Sequence, residues 1–141
     1  MLLISVQNSA WDKFNGRTQM MKGLFNYETA YREYTKLCLQ EFAADNIQYA
    51  EIRPNFMSTN QVWKDDGSER IDNHGIVNLI TTAYDNFQLE HKHQILKGLK
   101  IIYCTPRSFD PEKVKAALDE CLEFKLKYPA WIAGEPNCCG R

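Results

Sequence analysis

Ala30–Arg53 reads AYREYTKLCLQEFAADNIQYAEIR, and within these residues the hydrophobic period changes. Up to Ala44, the residues Tyr31, Tyr34, Cys38 and Phe42 recur at helical spacing and form one apolar stripe. This predicts a helix from about Tyr27 to Ala44, ended by Asp45-Asn46. From Ile47 the period is two. Tyr49, Glu51, Arg53 and Asn55 point one way, and Ala50, Ile52 and Phe56 the other. A strand is expected over 47–56, weakened at Pro54, which has no N–H to give to a ladder. A helix running straight into a strand is the repeating unit of an α/β chain.

Toward the N-terminus, Ser9 with Asp12 three residues on resembles a capping box. A helix is expected from there through Trp11 and Phe14 toward Met20 and Met21, interrupted by Gly16 and Gly23. On the other side, Met57 to Asn73 reads as a polar loop with a turn at Asp66-Gly67, long enough to be functional or mobile. A third helix is expected over His74–Gln94, with Ile76, Ile80, Ala83 and Phe87 on one face. Leu99–Thr105, LKIIYCT, is a second strand whose apolar run suits burial on both faces. Asp110-Pro111-Glu112 opens a further helix carrying Val114, Ala117, Leu118 and Cys121 inward and ending near Tyr128-Pro129. A third strand begins at Ala130 and breaks off at Gly134.

Alternating helices and strands predict a parallel sheet with right-handed crossovers. A (β/α)8 barrel takes about 250 residues, and this chain has 141. The expectation is therefore about half a barrel or a small open sheet, and a fragment.

Composition narrows the function classes. Hydrophobic residues are 44% and charged residues 25%, the balance of an ordinary globular protein. The net charge is −1, without the basic footprint of a nucleic-acid binder or a membrane-surface protein. No apolar run approaches the roughly 18 residues of a spanning helix. Met1–Val6 is apolar but lacks the positive flank and the length of a signal peptide. The five cysteines, Cys38, Cys104, Cys121, Cys138 and Cys139, form no C-x-x-C pair. Cys38 and Cys121 read as free thiols on apolar helix faces, and nothing ties Cys138-Cys139 to chemistry.

Four segments carry a specific likeness: AWDKF (10–14), the 30–53 block, GLKIIYCTPRS (98–108) and ALDECLEFKLKYPAWIAG (117–134). Together they resemble the adenosine deaminase-related growth factors, the extracellular-type adenosine deaminases, in a form expected of a fungus. The resemblance implies a partial (β/α)8 TIM barrel, strands two to four with their helices, over residues 1–134, followed by an aberrant tail over 135–141. It also implies a parent enzyme that hydrolyses adenosine to inosine and ammonia. In that family a zinc ion lowers the pKa of a bound water, and a glutamate acts as general acid. The metal is held by an H-x-H pair on the first barrel strand, a histidine in an H-A-G-E segment and a late aspartate. No catalytic residue or metal ligand of the family maps onto this sequence, so no zinc is expected for this chain alone. Extracellular location follows from the resemblance, while the chain as written carries no secretion signal, which leaves a cytoplasmic product open.

Three residues are candidates for contact with a nucleoside. Trp11 aligns with a tryptophan of the W-x-K-F segment on the substrate side of the family's pocket, and it equally suits an aromatic packing at a helix start. Glu51 and Arg53 alternate onto one strand face and would sit at a barrel's C-terminal mouth. The alternative for them is an internal ion-pair layer. His91-Lys92-His93 imitates a zinc pair, but on a helix residues two apart point about 200° apart. At Pro106 some family members carry a histidine, so that contact is not carried over, and Arg107 receives no role. Lys64, Asp65, Asp66 and Glu69 read as a solvated loop. The competing function is a non-catalytic nucleoside-binding or interaction protein built on half of the barrel.

Overall fold

The computed structural model describes residues 2–57, 62–90, 95–105 and 109–133. In chain order the elements are α1 (Leu2–Lys22), α2 (Glu28–Ala44), β1 (Tyr49–Ile52), β2 (Val62–Trp63), β3 (Arg70–Ile71), α3 (Asn73–Glu90), β4 (Gly98–Ile102), α4 (Pro111–Lys127) and β5 (Ile132–Ala133). The main sheet is parallel, in the order β1-β4-β5, with α3 and α4 as its crossovers. It is an open α/β sheet that fits part of a barrel, and the described residues close no barrel.

Register makes the sheet two-faced. Ala50 lies opposite Leu99, Ile52 opposite Ile101, and Ile101 opposite Ile132. Of these, Ala50, Leu99, Ile101 and Ile132 are buried, and they form one core with Ile76, Val77, Ile80 and Phe87 of α3 and Ala117, Cys121 and Phe124 of α4. Tyr49 and Glu51 are exposed on the opposite face, with Lys100 half-buried beside them. Burial on both faces therefore fails for the first half of β4, because Lys100 occupies an outward position there.

Local chemistry explains the element ends. Asn46 takes a left-handed φ of 60° just past α2, and the Ile47 N–H returns to the Phe42 carbonyl at 2.9 Å, closing the helix as glycine usually does. Asp110 caps α4 by accepting from the Lys113 N–H at 2.9 Å, with Pro111 at the first turn.

Four expectations need correction. First, α1 begins at Leu2 and runs unbroken through Ser9 and Gly16, so Ser9 is no cap. A helical glycine costs roughly 1 kcal/mol, too little to break a helix by itself. Second, the buried positions of α2 are Thr35 and Leu39, with Tyr31 and Phe42 flanking them, while Tyr34 is 62% exposed. Third, α4 buries Ala117, Cys121 and Phe124 and leaves Val114 and Leu118 largely outside. Fourth, the polar loop contains an antiparallel pair, Val62 opposite Ile71 and Trp63 opposite Arg70, around a turn at Gly67 with φ 71°. The turn itself lies where the sequence places it.

That hairpin is fastened to the helices. Tyr27 offers α2 no side-chain cap. Asp65 caps it from the hairpin instead, accepting from the Thr29 N–H at 2.8 Å and the Thr29 hydroxyl at 2.5 Å. Lys64 pairs with Glu28 at 3.1 Å. A Cβ on Gly75 would fall 2.3 Å from Cγ2 of Ile71, so glycine is what lets β3 lie against the start of α3.

Candidate functional site

The open face of the sheet and the rim at its C-terminal end gather the polar side chains. On the open face the Tyr49 hydroxyl donates to Glu51 Oε1 at 2.8 Å. The Tyr49 ring lies across Gly98, where a Cβ would come within 2.8 Å of it. Donation to the carboxylate raises the Tyr49 pKa above its ordinary value. Lys100 is the register neighbour of Glu51 and sends its ammonium to the Ala130 carbonyl. The face thus carries one carboxylate and one ammonium side by side, each fixed by a different partner.

Arg53 follows β1 at the rim and is exposed. It borders a groove of about 160 Å³ whose other walls include Tyr34, Cys38, Phe42 and Pro54. Burial pushes the Cys38 thiol up, which keeps it protonated and unreactive. A second, more polar cleft of about 340 Å³ lies between α2, the hairpin and α3, bordered by Glu28, Arg32, Lys64, Asn78 and Thr82.

Behind the rim a polar network ties four segments together. The Asn73 side-chain amide donates to the Phe56 carbonyl at 2.9 Å and to Glu120 Oε1 at 2.9 Å. The Tyr103 hydroxyl donates to the other Glu120 oxygen. Tyr103 stacks on Phe56 at 4.9 Å, and both meet Phe124 edge-on. The network holds the ends of β1 and β4 to the start of α3 and the middle of α4. Burial first, then the bond to Glu120, pushes the Tyr103 phenol well above its usual range, so it stays a donor.

Glu51 is exposed on β1, whereas Arg53 is exposed beyond the end of that strand, bordering the groove against α2. Glu51 is bonded to Tyr49, and the ion pairs among the described residues do not join it to Arg53. Trp11 stands on α1, 63% exposed, stacked on Phe14 at 5.6 Å. His91, His93, Pro106, Arg107 and the tail 134–141, with Cys138 and Cys139, lie outside the described residues. Lys64 and Asp65 do more than the solvated loop expected of them: one pairs with Glu28 and the other caps α2.

For metal binding, the described residues contain no group of three His, Cys, Asp or Glu side chains able to hold an ion. His74, at the start of α3, is turned to Glu123 at 3.2 Å and packs on Phe124 at 4.5 Å. A tetrahedral zinc site needs three or four convergent ligands, so the described residues do not fit a zinc ion. No described helix is long and apolar enough to cross a membrane.

Comparison with known proteins follows the same outline. The chain is 29% identical to human adenosine deaminase 2 over 128 residues, 91% of this chain and 24% of that protein. It is 27% identical over 128 residues to an adenosine deaminase of Lutzomyia longipalpis, 90% of this chain and 24% of that protein. Against adenosine deaminase 2-A of Danio rerio it is 23% identical over 128 residues, 91% of this chain and 24% of that protein. These likenesses support the adenosine deaminase 2 kind of family, and the chain spans about a quarter of the length of the relatives it matches. No family model matches the chain.

Proposed function

We propose that the chain is part of a secreted, hydrolytic adenosine deaminase and supplies one wall of its nucleoside pocket. In the whole protein, water adds at C6 of the purine and ammonia leaves, giving inosine. The observation that carries this is similarity to adenosine deaminase 2 over 91% of the chain. A parallel sheet with helices on one face and polar side chains on the other supports it, since the open face of such a sheet is where a barrel keeps its interior.

Trp11 stacks on the nucleoside and Glu51 and Arg53 bond to it from the rim. The parent family works with zinc, whose ligands the described residues do not provide. Inactivity of the chain taken alone belongs to this reading, because the resemblance maps no metal ligand or catalytic glutamate of the family onto its sequence. The test is steady-state kinetics on the longer deaminase containing this segment. Glu51→Gln and Trp11→Ala are each expected to raise KM for adenosine by about tenfold, the equivalent of one lost site contact. Unchanged KM in both variants would remove these residues from the pocket.

A second reading has its own support. One contiguous buried core joins residues from Leu39 to Ile132, as a free-standing binding module needs. Stoichiometric adenosine binding by the chain, without inosine formation, would favour that module; absence of binding counts against it.

A further inference from the structure

We propose that Glu120 is a positioning residue: from α4 it holds the two segments that leave β1 and β4, and so fixes the rim against which the nucleoside lies. This rests on the deaminase reading and deepens it.

Ligands of a parallel α/β sheet lie where its strands end. Here β1 stops at Ile52 and β4 at Ile102, so residues 53–57 and 103–105 form that rim among the described residues. Neither segment belongs to a strand, yet Pro54, Phe56 and Tyr103 are buried. Something other than ladder pairing must set where they lie.

Glu120 reaches both segments. Its Oε2 accepts from the Tyr103 hydroxyl, and both of its oxygens accept from Asn73 Nδ2, at 2.9 and 3.1 Å. The same Nδ2 donates to the Phe56 carbonyl at 2.9 Å. Phe56 and Tyr103 stack at 4.9 Å, so the two segments also meet directly. One carboxylate therefore governs both strand ends, acting through Tyr103 on one and through Asn73 on the other. Every partner lies between β1 and β5 in the chain, so the arrangement does not depend on what pairs with the outer edges of the sheet.

Asn73 supplies a second argument. Its Oδ1 is buried and meets no partner among the described residues. A buried polar atom without a partner lowers stability, so packing alone would favour an apolar side chain there. The amide is explained by its nitrogen, which joins the Phe56 carbonyl to Glu120.

The test is steady-state kinetics and thermal melting of the longer deaminase containing this segment. Glu120→Gln keeps the volume but sets an amide nitrogen beside a donor, and Tyr103→Phe keeps the ring stack while removing one hydroxyl. Each is expected to raise KM for adenosine by about tenfold. The double variant should also stay near about tenfold, because both changes break one unit. Phe87→Leu, at the other end of α3 from Asn73, is the control: it should lower the melting temperature and leave KM unchanged. Unchanged KM in both single variants of an active enzyme would overturn the inference and leave the deaminase reading standing. An unsubstituted protein that does not deaminate would overturn both. Single effects that multiply in the double variant, or a KM rise in Phe87→Leu that tracks its melting loss, would reduce the network to a stability role and overturn the inference.

Discussion

The two faces of the β1-β4-β5 sheet differ in what holds them. On the covered face, Leu99, Ile101 and Ile132 interlock with α3 and α4, and Phe124 is fully buried against Phe56, Tyr103 and His74. On the open face, Tyr49 is 51% exposed, and Glu51 is held by a single hydrogen bond. Stability resides on one side and available chemistry on the other. Substitutions on the covered face should therefore cost folding free energy, and those on the open face should cost little.

The largest effect is expected at Phe124. Phe124→Ala empties a ring site with no exposed surface and should lower unfolding free energy by about 3–5 kcal/mol in a denaturant titration. A loss under about 1 kcal/mol would mean the covered face is not the stabilising one. Next comes Gly75→Ala, which drives a methyl into Ile71 and should cost about 1–3 kcal/mol by the same titration.

Smaller in scale is the pH response of the buried phenols. Burial pushes Tyr31 from 10.0 up to about 12. Its folded pKa lies above its unfolded one, so the folded state holds the proton more firmly. Its contribution is fully present below about 10 and is lost as pH rises from there toward 12. Phenolate absorbance should show Tyr31 and Tyr103 ionising late, together with unfolding. Asp65 has the opposite sign: hydrogen bonds from Thr29 hold its carboxyl below the usual range. The stability it contributes is present above its unfolded value of about 3.8 and fades as pH falls below that. Asp65→Asn should lower the melting temperature at neutral pH and flatten that acid-side slope. The smallest effect is expected on the open face, where Glu51→Gln should change unfolding free energy by no more than about 0.5 kcal/mol.

How far sequence reached follows the same division. The periodic stretches of α3 gave its buried face directly, with Ile76, Ile80, Ala83 and Phe87 all inward. The alternation expected over 47–56 holds for the two faces of β1 over Tyr49–Ile52, where the strand ends. In α2 the stripe through Tyr34 and Cys38 and the stripe through Thr35 and Leu39 fit a helix equally well. They differ by one residue, about 100° of rotation; Tyr31 packs on the core as the first stripe requires, but Tyr34 stands exposed. The β2–β3 hairpin has two-residue strands, too short for any period to register. Asp65 and the Asn73–Glu120–Tyr103 network escaped because their bonds join residues 36 and 47 positions apart. On the open face, the exposure of Tyr49 and Glu51 was legible from alternation, whereas the Tyr49 bond that holds Glu51 depends on a ring lying across Gly98.

The proposal is that this chain forms a wall of a deaminase pocket, and its described residues do not hold the metal-binding set that performs the reaction. It is tested most directly by incubating the purified chain with adenosine and zinc, and quantifying inosine together with bound metal. The account predicts no inosine above the uncatalysed background and no stoichiometric zinc. Sustained turnover with one zinc per chain would contradict it.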